Sequence, residues 1–342
     1  MQTQPLETGT EKMITRKLQV RFLTPAFLGD AEQNGQWRTP PFKHLLREWW
    51  RVAWAAHNDL SNWRRMREIE GGLFGHAWLD PKKGEDEVKA RRSRVLVRLT
   101  PWAKGKLHSM PSTRPVGNGR NAVASHLYLG YGPVKSASEL KMAHPLSPSK
   151  DLAGLVLAWP EGGAGTEYLE DTLVLIHAFG TLGGRSRNGW GSLILERESR
   201  FLSLENLARF VKPWRDCLRE EWAHAIGEDK GRPLIWTTPA REKWEAIIED
   251  LASIRKQVNA LAKQQRGREI VNQPVAGKGA RVPSTLRFKV RQDENGRLYG
   301  VIFHMPCKPP AAFHPDDAAL HRVWQQVHRF LDNHDILERS AS

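Results

Sequence analysis

One predicted helix carries a row of cations at helical spacing. Lys43, Arg47 and Arg51 recur four residues apart, so on an α-helix they fall on one stripe within ~80°. Apolar side chains cover the opposite side, and Trp50 and Trp54 lie at the edge of the stripe. Cations beside aromatic rings suit a phosphate backbone with stacked bases, whereas the alternative is a charged helix face that is only solvated.

A glycine-rich segment, FGTLGGRSRNGWGS at 179–192, is the second candidate site. Glycine allows positive φ and lets amide N–H groups approach a phosphate closely. Arg185 and Arg187 add positive charge, and Trp190 adds a stacking surface. The alternative is a loop that only turns the chain. The five glycines of the segment are Gly180, Gly183, Gly184, Gly189 and Gly191.

Other residues give weaker signals for chemistry. Asp30 follows the first predicted strand, and it is interpreted either as a catalytic carboxylate near the proposed nucleic-acid path or as a turn residue. His304, Cys307 and His314 match no standard zinc spacing. No histidine lies in a recognisable nucleophile or triad context. We therefore predict no catalytic residue, no metal and no cofactor.

The composition favours a polyanionic partner. The chain has 342 residues, and 52 Lys and Arg against 38 Asp and Glu give a formal net charge of +14. Nucleic acid is the commonest partner of so basic a protein. Two distant cysteines, Cys217 and Cys307, form no disulfide framework, and a reducing cytosolic setting is expected. No apolar run approaches the ~20 residues of a membrane span, and residues 1–11 lack the apolar core of a secretory signal.

Hydrophobic periodicity predicts an α+β protein. The N-terminal part is predicted as strand, helix, strand, strand, helix, strand, at 13–23, 42–57, 94–100, 152–159, 167–179 and 192–196. This order is typical of a ferredoxin-like fold, here with large insertions after the first helix and after the second strand. The predicted insertions include an exposed charged segment at 80–92.

The C-terminal part is richer in predicted helix. Its predicted elements are a helical stretch at 204–226 interrupted near Pro213, a helix at 241–265, a basic linker at 267–283, a hairpin of 286–290 with 298–303, and a helix at 315–337. We therefore predict two domains, 1–200 carrying the glycine-rich loop and 201–342.

The cationic helix, the glycine-rich loop and their order resemble the RAMP superfamily of CRISPR-associated RNA-binding proteins. The similarity extends to the family of first subunits of the Cmr (type III-B) effector complex. The matching stretches are LTPAFLGD at 23–30, RTPPFKHLLREWWR at 38–51, GLFG at 72–75, GGRSRNGWG at 183–191 and PSTLR at 283–287.

The resemblance implies tandem ferredoxin-like (RRM-like) domains, the second degenerate and helix-rich. It also implies a non-catalytic cytoplasmic subunit in antiviral defence, which contacts guide RNA and complementary target RNA at the 3′ end of the guide and packs on other RAMP subunits. The residues predicted to bind RNA are Arg38, Lys43, Arg47, Arg51, Trp54, Arg185, Arg187, Asn188 and Trp190. Two alternatives stay open: a RAMP endoribonuclease for guide processing or target cleavage, and a basic protein–protein adaptor.

Overall fold

The computed structural model describes most of the chain: residues 12–77, 90–119, 122–148, 150–197, 200–201, 207–265, 267, 270–271, 284–310 and 316–340. Much of the predicted exposed segment 80–92, most of the linker 267–283 and His314 lie outside these residues. The described elements confirm the predicted α+β class.

The N-terminal elements of the described residues include the six predicted strands and helices in their predicted order, together with five that the sequence did not predict. They are β1 (Met13–Phe22), α1 (Thr39–Ala55), α2 (Trp63–Phe74), β2 (Leu96–Thr100), β3 (Pro115–Val116), β4 (Val123–Ala124), α3 (Ser125–Gly130), β5 (Leu152–Pro160), α4 (Leu169–Phe179), β6 (Leu193–Arg197) and β7 (Arg200–Phe201). The C-terminal elements are β8 (Val211–Pro213), α5 (Trp214–Cys217), β9 (Ile226–Asp229), β10 (Arg232–Pro233), β11 (Ile235–Thr237), α6 (Trp244–Gln264), β12 (Leu286–Gln292), β13 (Leu298–His304), α7 (Asp317–Asp332) and β14 (Glu338–Arg339).

The first sheet has the strand order β2-β5-β1-β6-β7, and all neighbouring strands are antiparallel. Alternation along β1 buries Leu18, Val20 and Phe22, whereas Lys17 and Gln19 are exposed, because successive side chains point to opposite faces. α1 and α4 lie against each other and join this core. The sheet therefore fixes the position of α1, which carries the cationic stripe.

A second sheet has the order β12-β13-β11-β14, again with antiparallel neighbours. Its strands are connected as β11-α6-β12-β13-α7-β14, the same strand–helix–strand–strand–helix–strand sequence as β1-α1-β2-β5-α4-β6. In both sheets the first of these strands lies between the third and the fourth. The β12–β13 pairing confirms the hairpin predicted from residues 286–290 and 298–303.

The helix predicted at 204–226 is wrong. The described residues there form a 3-10 turn (Leu207–Phe210), then β8, the four-residue α5, and β9. The interruption predicted near Pro213 is present, but a proline also disfavours helical backbone at the preceding residue, and Lys212 lies in β8 rather than in a helix. β8 pairs in parallel with β9 instead.

The two halves of the chain share a hydrophobic core. Trp49 of α1 lies 5.9 Å from the ring of Phe179 in α4 and 6.4 Å from that of Phe303 in β13. The fully buried Lys289 of β12 donates to the carbonyl oxygens of His177 and Leu193 in the N-terminal half, at 2.6 and 2.8 Å. The predicted division at 200/201 stays a prediction. None of the described helices combines the length and the apolar composition needed to cross a bilayer.

Candidate nucleic-acid interface

The cationic stripe belongs to an amphipathic helix, as predicted. α1 begins with Pro40 and Pro41 in its first turn, where proline is tolerated because those N–H groups have no intrahelical partner. Lys43, Arg47 and Arg51 are half-buried along one side. The opposite side fills the core with Phe42, Leu45, Leu46, Trp49, Val52 and Ala53. Core packing of one face therefore holds the cations of the other face in place.

These three cations line a groove between the N-terminal and C-terminal halves. The groove has a volume of about 930 Å³. Among the described residues, its lining includes eight Lys and Arg side chains but only two carboxylates, Glu48 and Glu221. The eight cations are Lys43, Arg47, Arg51, Arg91, Arg92, Arg187, Arg287 and Lys308. The helix stripe and one arginine of the glycine-rich loop thus meet at a single surface.

Two of the stripe cations are held by a buried carboxylate. Glu70 of α2 is 2% exposed and accepts hydrogen bonds from Arg47 Nε at 2.8 Å and from Arg51 Nη2 at 2.9 Å. Arg51 Nε also donates to the second oxygen of Glu70, at 3.0 Å. The group of Glu70, Arg47 and Arg51 therefore has one net positive charge, and Glu70 fixes the orientation of both arginines. Removing either arginine would weaken the compensation of a buried charge, which is costly.

Lys43 is the stripe cation without a carboxylate. Among the described residues, no Asp or Glu oxygen lies within ion-pair distance of its Nζ atom. Partial burial, together with the neighbouring charge of Arg47, lowers the pKa of Lys43 from its usual value. Because no carboxylate of the described residues pairs with Lys43, its positive charge is available to a bound anion.

The most buried charges of the groove are Arg187, Arg287 and Glu48. Arg287 is 8% exposed, and its Nη1 lies 2.7 Å from Glu48 Oε1. Burial alone would raise the pKa of Glu48, but Arg287 and Arg187 more than offset this and lower it. Burial and the charge of Arg287 lower the pKa of Arg187 to about 10. Arg287 Nε is buried with no hydrogen-bond partner among the described residues, so the groove contains more donor capacity than its carboxylates use.

The glycine-rich loop does not form the predicted phosphate cradle. Gly180, Gly184, Gly189 and Gly191 each donate their amide N–H to a protein carbonyl, those of Ile176, Phe27, Ser186 and Pro25 respectively. A Cβ atom at Gly191, where φ is +61°, would lie 1.8 Å from the carbonyl oxygen of Leu182. At Gly183 it would lie 2.7 Å from the carbonyl oxygen of Phe27. These glycines permit close backbone packing within the fold, which corrects the cradle interpretation.

The predicted stacking residues lie in the core. Trp54 is 2% exposed and Trp190 is fully buried. The Trp190 ring packs edge-on against Phe27 at 5.5 Å and Trp244 at 5.8 Å. A base needs an accessible ring face, so this burial corrects the prediction that Trp54 and Trp190 stack on RNA.

The remaining predicted residues are not all brought to the groove. Arg187 lines the groove, and its Nη1 donates to the Ser284 carbonyl at 3.1 Å. Asn188 is not part of the lining, and its Nδ2 donates to the Leu129 carbonyl at 2.9 Å. Arg38 is likewise absent from the lining and donates to the Gly29 carbonyl. Arg185 is exposed on another surface.

Asp30 has the position of a turn residue. Its Oδ1 accepts the Asn34 amide at 2.7 Å, and its own amide donates to the Asn34 carbonyl at 2.8 Å. His304 is fully buried and contacts His328 at 2.9 Å rather than Cys307. Cys217 and Cys307 are free thiols.

Comparison with protein-family models and with curated proteins gives no match. Solved structures do give matches. The chain is similar in structure to Cmr1. For Cmr1 from Pyrococcus furiosus in its apo form, the similarity covers 90% of this chain and 92% of that one, with 14% identity and a TM-score of 0.43.

Two further similar structures are those of CRISPR complexes. For a chain of the type III-B Cmr-beta complex bound to cognate target RNA, the similarity covers 93% of this chain and 100% of that one, with 11% identity and a TM-score of 0.48. For a chain of a type IV-B CRISPR complex, the similarity covers 56% of this chain and 93% of that one, with 14% identity and a TM-score of 0.31. All three TM-scores are below 0.5, so these similarities assign no role to an individual residue.

Sequence reasoning missed four of the groove cations: Arg91, Arg92, Arg287 and Lys308. Arg287 gave a signal that could have been used, because it stands in the otherwise apolar start of a predicted strand, where an arginine needs a partner. Lys308 and the Arg91–Arg92 pair lie in loops, so no periodicity assigns them to a face.

Proposed function

We propose that the chain is a non-catalytic RNA-binding subunit of a type III-B CRISPR (Cmr) effector complex. In antiviral defence in the cytoplasm it contacts guide RNA and complementary target RNA at the 3′ end of the guide and packs on other RAMP subunits. The observation that carries the proposal is the groove in which Lys43, Arg47 and Arg51 meet Arg187 and Arg287.

The lining of the groove matches the chemistry of an RNA strand. Cations on several sides can contact successive phosphates, and such contacts need no particular base sequence. Apolar lining from Trp222, Pro309 and Pro310 provides surface for ribose or base. In an RNA-guided complex, base pairing reads the sequence while the protein holds the backbone, so a groove of this kind suffices.

The first test is RNA binding by a variant that leaves the buried pairs intact. Lys43→Gln combined with Lys308→Gln removes two groove cations for which the described residues provide no carboxylate. We expect weaker binding of a single-stranded RNA of about 40 nucleotides, with the slope of log affinity against log salt reduced by roughly 1.4, since each lost contact removes roughly 0.7. Fluorescence anisotropy over a series of salt concentrations measures both quantities.

The matched control is Lys17→Gln combined with Lys263→Gln, which removes the same charge from exposed positions outside the groove. An equal loss of affinity in both double variants would show that only total charge matters, contrary to the proposal. Wild-type protein without salt-dependent RNA affinity would refute RNA binding. RNA cleavage that Asp30→Asn abolished would refute the non-catalytic role.

A further inference from the structure

Tyr131 is the most exposed large apolar side chain of the described residues, at 67%. It follows α3 directly, and its neighbours Gly132, Lys135 and Ser136 along the turn are small or polar, whereas the apolar Val134 is buried. A lone aromatic ring in polar surroundings is not the centre of an apolar protein interface, where several apolar residues are buried together. A ring with an open face can, however, stack on a base.

An exposed arginine is attached to the same turn. Arg185 Nε donates to the carbonyl oxygen of Tyr131 at 2.6 Å. A Cβ atom at Gly132 would lie 3.6 Å from Arg185 Nη2, so the guanidinium lies over the turn. The fold thus places a cation next to the aromatic residue.

The backbone of Arg185 is strained. Its φ is +58°, in the left-handed region, where a side chain is unfavourable and glycine is the usual residue. Glycines occupy several nearby positions of the same loop, including Gly183, Gly184 and Gly189. A side chain at a position that suits glycine better points to a role for that side chain.

The turn that carries Tyr131 is fixed in position. Val134 is fully buried, and its amide donates to the Gly130 carbonyl at 3.0 Å. Gly132 in turn donates to the Val134 carbonyl at 3.2 Å. Because the backbone is already ordered, presenting the ring to a ligand needs no further ordering of the backbone.

A second exposed cation and the groove are both connected to this turn. The amide of Lys141, an exposed residue, donates to the Pro133 carbonyl at 2.8 Å. Arg187, which lines the groove, is two residues beyond Arg185 in the chain. Because a chain advances at most ~3.6 Å per residue, the Cα atoms of the two arginines lie within ~7 Å of each other.

We propose that Tyr131 and Arg185 form a second contact site for single-stranded RNA, separate from the groove. One base stacks on the Tyr131 ring, and the Arg185 guanidinium pairs with a phosphate beside that base. Every base has a π-face, so the site accepts any sequence. This inference rests on the proposed RNA-binding function and replaces the buried Trp54 and Trp190 as stacking residues.

The test compares three variants with wild-type protein on two ligands. The ligands are a fluorescent oligouridine RNA and an abasic oligonucleotide of equal length and charge. We expect Tyr131→Ala to bind the RNA about tenfold more weakly but the abasic strand within about twofold of wild type, because only the RNA can stack. Tyr131→Phe keeps the ring and should bind both ligands like wild type.

Arg185→Gly separates recognition from structure. Glycine removes the left-handed strain but also the hydrogen bond to the Tyr131 carbonyl, so we expect a melting temperature close to that of wild type, together with a salt slope reduced by roughly 0.7. A lower melting temperature with an unchanged slope would assign Arg185 a structural role and overturn its part of the site.

Two results separate this site from the groove. RNA binding that depends on Lys43 and Lys308 but is the same in Tyr131→Ala and wild type would overturn the second site alone. Wild-type protein that binds no RNA would overturn the proposed function and the second site with it.

Discussion

Acidification to about pH 5 is expected to lower the free energy of unfolding by several kcal/mol, because buried histidines stay neutral in the folded chain. His304 and His328 form the centre of this effect. His304 Nδ1 lies 2.9 Å from His328 Nε2, so one ring donates its proton to the other, and the His304 ring also stacks on Trp324 at 4.0 Å. Burial, with Arg339 and Arg215 nearby, lowers the pKa of His328 to about 3. Burial and His328 lower the pKa of His304 well below 6.5.

The direction of the pH effect follows from proton uptake. Below its usual pKa of 6.5 the unfolded histidine binds a proton that the folded one does not, so stability falls as pH decreases from 6.5 toward about 3. One such histidine contributes a loss of about 2 kcal/mol by about pH 5, at about 1.4 kcal/mol per unit. His177 adds to this loss of stability. Its pKa is lowered to about 3 by burial and then by the charges of Lys289 and Arg291.

Urea denaturation at about pH 7.5 and about pH 5 measures this loss. His328→Gln keeps an amide that can donate to His304 but no longer titrates, so the difference between the two pH values should shrink. His108→Gln alters an exposed histidine and should leave the difference unchanged. Equal stability of wild type at the two pH values would contradict the prediction.

Lys289→Met is expected to destabilise the protein by about 2–4 kcal/mol, because methionine leaves buried carbonyl groups without a donor. Lys289 Nζ donates to the carbonyl oxygens of Ile176, His177 and Leu193 at 3.2, 2.6 and 2.8 Å. Ile176 also accepts the amide of Gly180, so the loss falls mainly on His177 and Leu193. The contact connects β12 to the end of α4, where helix carbonyls lack helical partners.

The pH dependence of this variant provides a second readout. Burial, then the charge of Arg291, lowers the pKa of Lys289 well below 10.5. Between the folded and unfolded pKa values the unfolded chain binds more protons, so wild-type stability rises with pH in the window that ends near 10.5. Lys289→Met should lack this rise. Lys17→Met, at an exposed site, should change stability by no more than about 0.5 kcal/mol. A Lys289→Met protein as stable as wild type would refute this role for Lys289.

The sequence predicted the cationic face of α1 because the helical period alone assigns Lys43, Arg47 and Arg51 to one side. It could not show that Glu70 pairs with two of them, or that Arg287 lies across the groove, because those contacts join residues far apart in the chain. Tryptophan is ambiguous for a related reason. Its ring can fill a core or stack on a base, and only tertiary packing determined that Trp54 and Trp190 are buried.

The glycine-rich loop and the C-terminal sheet show two further limits. Glycines that allow the close approach of Gly191 to Leu182 have the same local signature as glycines that contact a phosphate. β11 and β14 have three and two residues, which is too short for alternation to be recognised. The long elements α1, β1, β5 and α6 were predicted because their patterns extend over several turns or alternations.

The groove is built from both halves of the chain. Binding of a ligand in the groove is therefore coupled to the association of the two halves. Lys43, Arg47 and Arg51 come from one half, whereas Arg287 and Lys308 come from the other. A polyanion that spans them binds only when the halves are docked, so its binding free energy also opposes their separation. A bound RNA strand would then hold the two halves together, and the apparent stability of the chain would increase with RNA concentration.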